Sequence, residues 1–252
     1  MLGAALAAAF CIPFDLTAQV NTEKLRGKQD ELGFQFMLDG EIEYKTGNVE
    51  FLDYEVQGRI DYIDSTFKVF FITEYAFTSS DGKAFARRGF YHLRYNQVIN
   101  DWLTWEVFGQ EEDSRSLKLK NRWIVGSGPR FSLLRKEKMF LALGSTYMYE
   151  HEHLIEPVDP ADDVVVRVHR WNNYLTYRIE TDNRISWLST VYVQPRFDAF
   201  DDVRVFGETA LGFGLWDFLT LKNSFKIRYD SQPPVGIKET DIALTTGIVV
   251  SF

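Results

Sequence analysis

From Leu32 onward, apolar and polar residues alternate with a period of two. Phe34, Phe36, Leu38, Gly40, Ile42 and Tyr44 share one face of a predicted strand, while Gln35, Met37, Asp39, Glu41 and Glu43 share the other. Successive strand side chains point to opposite faces of a sheet. Thr46-Gly47-Asn48 reads as a turn, after which Leu52, Tyr54, Val56, Gly58, Ile60 and Tyr62 oppose Asp53, Glu55, Gln57, Arg59 and Asp61. Further strands are predicted at Phe67–Phe77, Gly89–Tyr95, Leu103–Glu111, Leu117–Phe131, Leu141–Tyr149 and Trp171–Ile179. Ile185–Pro195, Val203–Leu215, Leu219–Tyr229 and Ile242–Phe252 follow. The pattern predicts about 12 strands, an even number as bacterial membrane barrels have. A face carrying carboxylates cannot meet lipid, where an unpaired charge is costly. The apolar face is therefore expected outside and the charged face inside.

Connection lengths are a separate signal. The segments around Ile63–Thr66, Gln97–Asp101, Arg135–Lys138, Thr181–Arg184 and Trp216–Phe218 are short. Those around Thr78–Arg88, Glu112–Ser116, Glu150–Arg170, Arg196–Asp202 and Asp230–Asp241 are mostly longer. Short periplasmic turns and longer outer loops are the habit of membrane barrels, and a soluble β-sandwich has no need of it. The expected fold class is all-β, a transmembrane antiparallel up-and-down β-barrel. Tyr44, Tyr62, Phe67, Tyr95, Trp102, Trp105, Tyr147, Tyr149, Trp216, Phe218 and Tyr229 cluster near strand ends, as interfacial girdles do.

Composition narrows the alternatives. Spanning helices need about 18 or more consecutive apolar residues, and the chain contains no such run. A net charge of −8, without a basic cluster among aromatics, argues against nucleic acid as a partner. The single cysteine, Cys11, excludes a disulfide within one chain. It lies in an apolar, alanine-rich leader, Met1–Phe14, which with Leu16-Thr17-Ala18 reads as a signal peptide over residues 1–18. Residues 19–31 are a polar periplasmic lead-in beginning at Gln19, and residues 32–252 are the barrel. The last eight residues, Thr245–Phe252, read TTGIVVSF. Their order, with Thr245, Gly247, Val250 and Phe252 at the marked positions, is similar to the terminal signal for outer-membrane barrel assembly. The expected partners are outer-membrane lipid and the barrel-assembly machinery, reached through the last strand.

A family resemblance enters with four segments taken in order. Phe90-Tyr91-His92-Leu93-Arg94-Tyr95-Asn96 leads to Trp105-Glu106-Val107-Phe108-Gly109-Gln110-Glu111, then to Arg122-Trp123-Ile124-Val125-Gly126-Ser127-Gly128-Pro129-Arg130, then to Tyr149-Glu150-His151-Glu152. Val20-Asn21-Thr22-Glu23-Lys24-Leu25-Arg26 and the Thr46-Gly47-Asn48 turn add to it. The succession resembles the domain of unknown function 481 family, whose members are often called salt-induced outer-membrane proteins. The resemblance implies an outer-membrane barrel and no established activity. Phe131 and Ser132 after Arg130 depart from the more aliphatic strand expected there.

Parity sends His92, Arg94, Glu106, Gln110, Lys118, Lys120, Arg122, Arg130 and Glu150 to one interior. His92 and Glu106 mirror each other across a turn near Val98-Ile99, which predicts a cross-strand pair. Such a lumen is either a charged constriction that selects ions or a paired structural network, since interior charges must pair or be hydrated. The alternation of signs on neighbouring strands favours the network. Gly126 and Gly128 also face inward and leave room for a bulky neighbour such as Phe108. His151, His153, Glu150, Glu152, Glu156, Asp159, Asp162 and Asp163 crowd the longest loop, but without EF-hand or zinc spacing. That is the pattern of a solvated acidic loop, and neither a metal nor a cofactor is expected.

Catalysis is not expected either. A barrel lipase needs an outward His beside a Ser and an orienting group; His92 points inward, and His169 has no adjacent Ser. A protease-type pair of His151 and Asp159 is the weaker alternative. The functional readings are a narrow channel for small solutes or ions, a non-conducting structural or envelope-stress barrel, and, last, a lipase- or protease-type enzyme.

Overall fold

The computed structural model describes residues 32–45, 51–80, 83–157, 164–181 and 183–250. The predicted signal peptide, the lead-in, the Thr46-Gly47-Asn48 turn, Asp159, Asp162, Asp163 and Phe252 lie outside the described residues. Twelve strands follow in chain order: β1 (Gly33–Lys45), β2 (Phe51–Ile63), β3 (Phe67–Ser80), β4 (Lys83–Val98), β5 (Leu103–Ser114) and β6 (Leu119–Lys136), then β7 (Met139–Leu154), β8 (Val165–Glu180), β9 (Ile185–Pro195), β10 (Val203–Trp216), β11 (Leu219–Asp230) and β12 (Thr240–Val250). Each pairs antiparallel with the next, and β1 meets β12 at Leu38 and Val250, closing the sheet. A closed ring is the arrangement that spares strand edges the water that the hydrocarbon region does not offer. A strand of 13 residues, such as β1 or β2, rises about 43 Å at about 3.3 Å per residue. Tilted by about 40°, it crosses about 33 Å, enough for an apolar band about 25 Å tall.

The two faces separate as the period of two requires. Leu38 is 67% exposed on the outer wall and Leu244 66%, and Val125, Leu175 and Val191 are exposed with them. Polar residues on this wall are matched by tryptophan. Trp105, Trp171 and Trp187 each donate an indole N–H to a hydroxyl one strand away, on Ser127 (2.9 Å), Ser145 (2.8 Å) and Thr209 (2.8 Å). Each pair satisfies a donor and a hydroxyl that lipid would leave unpaired.

The predicted strands are present, but several run further than the apolar alternation does. β4 begins at Lys83 and β3 ends at Ser80, so strand pairing, with a bulge at Thr78/Ser79, runs through most of the longer loop expected over Thr78–Arg88. β8 begins at Val165 rather than Trp171, and β6 reaches Lys136. Beyond the lipid both faces meet water, so the ladder continues where the hydrophobic signal has stopped. Otherwise connections alternate as expected. Residues 64–66, 99–102, 137–138, 181–184 and 217–218 turn at one end, and residues 115–118, 155–164, 196–202 and 231–239 join strands at the other.

Candidate functional site

The inward residues of β3 to β8 pack against one another across the lumen. At the centre is Glu106 on β5, 0% exposed. Arg130 Nη1 of the neighbouring β6 lies 3.3 Å from one carboxylate oxygen, and Arg94 Nη1 of β4 lies 3.6 Å from the other. Tyr174, three strands away on β8, donates its hydroxyl to that second oxygen. Its ring also sits near the guanidinium groups of Arg94 and Arg130, at 6.0 and 5.8 Å. A side chain that reaches from β8 to β5 bridges the lumen. It has room because Gly144 faces it on β7, where an added Cβ would sit 2.0 Å from the ring. A residue with any side chain at position 144 would push the tyrosine away from Glu106.

Beside this centre lies a stack of rings. His92 packs between Phe70, Phe90 and Phe108, with centroids at 5.8, 6.1 and 5.8 Å. Arg94 Nε donates to His92 Nε2 (3.3 Å), so the ring proton belongs on Nδ1, which then donates to Gln110 Oε1 (3.3 Å). Both nitrogens are thereby engaged. The Arg59 guanidinium covers the Phe70 ring at 4.1 Å, and Arg94 covers Phe108 at 5.3 Å. Gly126 makes room for Phe108: a Cβ there would come within 2.3 Å of its Cζ. Ile124 and Met148 complete the cluster around Phe108.

Toward the long-loop end the interior becomes a band of alternating charge. Glu74 pairs with Arg88 (2.7 Å), Arg88 with Glu112 (3.5 Å), Glu112 with Arg122 (3.4 Å), and Arg122 with Glu152. Arg204 of β10 binds Glu152 (3.0 Å) and Glu150 (2.5 Å) of β7, and Asp230 of β11 (2.9 Å). Arg170 of β8 adds Glu150 at 3.7 Å and Asp202 at 2.9 Å. The contact from β10 to β7 skips two strands, so this band also spans the lumen. Buried charges persist only when paired in this way.

Above the band, the connections meet. Leu117, Leu119 and Leu154 form a buried cluster with Val166 and Ile237 against it. Lys118 binds Glu156 and donates to the carbonyl of Val235 (2.8 Å), and Val235 N–H donates to the Pro157 carbonyl (3.3 Å). Three loops are thus tied together across the outer end. In the 196–202 connection, the Arg196 guanidinium holds the Asp198 carboxyl below the usual carboxylate range, with bonds of 2.5 and 2.8 Å.

The structure places His92, Arg94, Glu106, Gln110, Arg122, Arg130 and Glu150 on the inward face. Lys120 is different. It is the extra residue of a bulge between Leu119 and Asn121, and is exposed rather than interior. A bulge breaks the parity that would have turned it inward. Lys118 lies before β6 in the turn, at φ 53°. The expected His92–Glu106 pair is also corrected. Val98 pairs with Thr104, so the turn is centred two residues later than that pair requires; Gln110 faces His92, and Glu106 faces Asn96. Glu152, expected in a solvated loop, is an inward residue of β7; Tyr174, Glu74, Arg88, Glu112, Arg170, Arg204 and Asp230 carry no motif that marks them in the sequence. All sit at the inward parity of their strands, which was the available signal. His151 and His153 lie on β7, and among the described residues no three His, Cys, Asp or Glu side chains converge as metal ligands. Thr245 faces inward against Ser224 (2.6 Å).

A closed ring of antiparallel strands with an apolar outer wall and a charged, paired interior defines a transmembrane β-barrel of the outer-membrane type. The chain belongs to the family described as "Protein of unknown function, DUF481", which matches residues 42–252. No curated protein matches the sequence. Among solved structures the chain is similar to the NanC porin, at 12% identity over 86% of this chain and 100% of that one, with a TM-score of 0.49. The KdgM porin shares 8% identity over 87% and 99%, with a TM-score of 0.46. The translocator domain of autotransporter NalP from Neisseria meningitidis shares 7% over 89% and 90%, with a TM-score of 0.45. These likenesses are of general architecture alone.

Proposed function

We propose that this protein is an outer-membrane barrel whose lumen is closed by its own side chains, a structural envelope component rather than an open pore. The observation that carries the reading is the bridge from Tyr174 to Glu106, held with Arg94 and Arg130. Water in an open lumen would reach inward side chains, yet these four are each no more than 4% exposed. The band of ion pairs and the loop contacts of Lys118 and Val235 support it at two further levels. We assign the barrel no catalytic role: both nitrogens of His92 are engaged by neighbours, and the hydroxyl partner of His169 is Tyr147, not a serine. The last strand engages the barrel-assembly machinery through Thr245, Gly247, Val250 and Phe252; its support is that β12 is the strand that closes the ring.

Planar-bilayer recording of the purified, folded protein tests the reading. The expected result is the absence of steady single-channel conductance at neutral pH. Discrete current steps from the unaltered protein would establish the narrow channel for ions or small solutes instead, and would overturn the closed-lumen assignment.

A further inference from the structure

Toward the long-loop end, the outer wall of β6, β7 and β8 changes from apolar to basic and aromatic. Register places Trp123, His151 and Arg167 in one row across the three strands, with Tyr149 opposite His169 in the next row down. Neighbours in such a row have Cβ atoms about 5 Å apart. Lys120, the exposed bulge residue of β6, stands above them. The row of Leu141 and Tyr177 lies ten residues away along both β7 and β8, and there Tyr177 meets Trp187 edge-on at 5.6 Å. Ten residues rise about 33 Å, or about 25 Å across the membrane at a tilt of about 40°, which is the height of the apolar band. With the Tyr177–Trp187 pair at one interface, as aromatic girdles are, His151 and Arg167 stand at the other. By the usual orientation of such barrels this is the headgroup layer of the outer leaflet.

Three observations give this patch a chemical preference. First, the signs of charge are sorted by face. In Glu150-His151-Glu152-His153 the period of two turns both carboxylates inward, onto Arg204 and Arg122, and leaves the imidazoles on the outer wall. Among the described residues, β6, β7 and β8 turn no carboxylate outward at this end, although the chain carries a net charge of −8. Second, the neighbouring carboxylates do not cancel the patch. Asp198, beside His169, is held by Arg196 at 2.5 and 2.8 Å. Glu111 of β5 is opposite Trp123, three strand spacings or about 14 Å from Arg167, which is more than a Debye length of about 8 Å at physiological salt. Third, exposed rings lie on the membrane side of the row. Tyr147 is 49% exposed and Trp171 42%. The Tyr147 hydroxyl meets His169 Nδ1 at 2.5 Å and its ring stacks on Phe197 at 6.1 Å, so imidazole and rings are held together on the wall.

We infer that this patch is a docking site for a phosphorylated glycolipid of the outer leaflet, its phosphate on Arg167, His151 and His169 and its acyl chains along Tyr147 and Trp171. A guanidinium binds phosphate through paired N–H groups, and an imidazole donates whether it is neutral or protonated. Aromatic rings favour the depth at which headgroup passes into acyl chain. Cations alone would suit any anion; cations directly above exposed rings at the membrane interface suit an anion that carries acyl chains. The inference goes beyond the closed-lumen reading, which bilayer conductance tests separately.

Native mass spectrometry of the full barrel, released from detergent after titration with lipid, tests the inference. The probe is diphosphorylated lipid A, with dephosphorylated lipid A and phosphatidylcholine as comparisons. Diphosphorylated lipid A should bind saturably and both comparisons more weakly. Arg167→Gln should weaken it by about tenfold, the size of one charge-assisted contact, and His151→Gln should weaken it less. Both side chains are on the outer wall, and heat-modifiable migration on gels confirms that each variant is folded. Arg87→Gln is the control: this arginine is exposed near the same end but on β4, beside Asp113, and its loss should leave binding unchanged. Equal retention of dephosphorylated lipid A or phosphatidylcholine overturns the phosphate requirement. Unchanged binding in folded Arg167→Gln, or equal weakening by Arg87→Gln, overturns the assignment to this patch. Displacement of the lipid by inorganic phosphate at similar concentration would make this a site for free phosphate and overturn the glycolipid.

Discussion

Replacing Glu106 by Gln removes one charge and almost no volume, so its cost measures how dry the lumen is. The carboxylate lies 3.3 Å from Arg130 Nη1 and 3.6 Å from Arg94 Nη1. At 3.3 Å, unit charges attract by about 5 kcal/mol at an effective dielectric of about 20, and by about 1.3 kcal/mol at about 80. A filled interior belongs to the first case and a water-filled pore to the second. Losing one member of a buried pair costs about 3–5 kcal/mol, because its partners keep their charge without compensation. Here two arginines lose the carboxylate between them, and the Tyr174 hydroxyl loses a charged acceptor. The assay is urea unfolding of the barrel in phosphatidylcholine bilayers, followed by tryptophan fluorescence. Glu106→Gln should lower stability by about 3–5 kcal/mol, and Tyr174→Phe by about 1–3 kcal/mol for the lost bond to a charged acceptor. If Glu106→Gln costs about 1 kcal/mol or less, the pair is hydrated, and the reasoning behind the closed lumen fails.

Leu143 points to lipid and Ala142, 0% exposed, points inward opposite Thr176. Leu143→Arg should cost about 2 kcal/mol or more in the same assay, depending on depth, while Ala142→Ser, with a hydroxyl across the strand, should cost less than about 1 kcal/mol; equal costs would mean that the faces of β7 are reversed. The depressed carboxyl of Asp198 adds order to the 196–202 loop that is fully present above the ordinary aspartate pKa of about 3.9 and is lost as pH falls through its lower folded value. Hydrogen exchange in that loop should therefore stay slow down to about pH 4 and rise below it. Arg196→Met should move the rise to higher pH; an unmoved profile would show that the arginine is not the cause.

Much of this protein is legible from alternation alone. A strand exposes every second residue to one side, so carboxylates among Asp53, Glu55 and Asp61 and apolar residues among Leu52, Val56 and Ile60 settle which side meets lipid. Repeated over the chain, that choice leaves a closed antiparallel ring as the arrangement that satisfies the backbone. Parity also sent Arg94, Glu106, Arg122 and Arg130 to the interior, because a period of two survives any uncertainty in where a strand begins. What alternation does not encode is register and distance across the ring. The turn after β4 sits a few residues later than symmetry implied, so His92 meets Gln110. One inserted residue turned Lys120 out to solvent. Tyr174 meets Glu106, and Arg204 meets Glu150, only because closure brings strands far apart in sequence to opposite sides of one narrow lumen. Gly144 gives the tyrosine its space, and nothing local to either residue marks them as partners. The sequence by itself therefore determined the faces and the class of fold. The tertiary structure decided which interior side chains meet across the ring, since that depends on side-chain lengths and closure and not on the pattern along any strand.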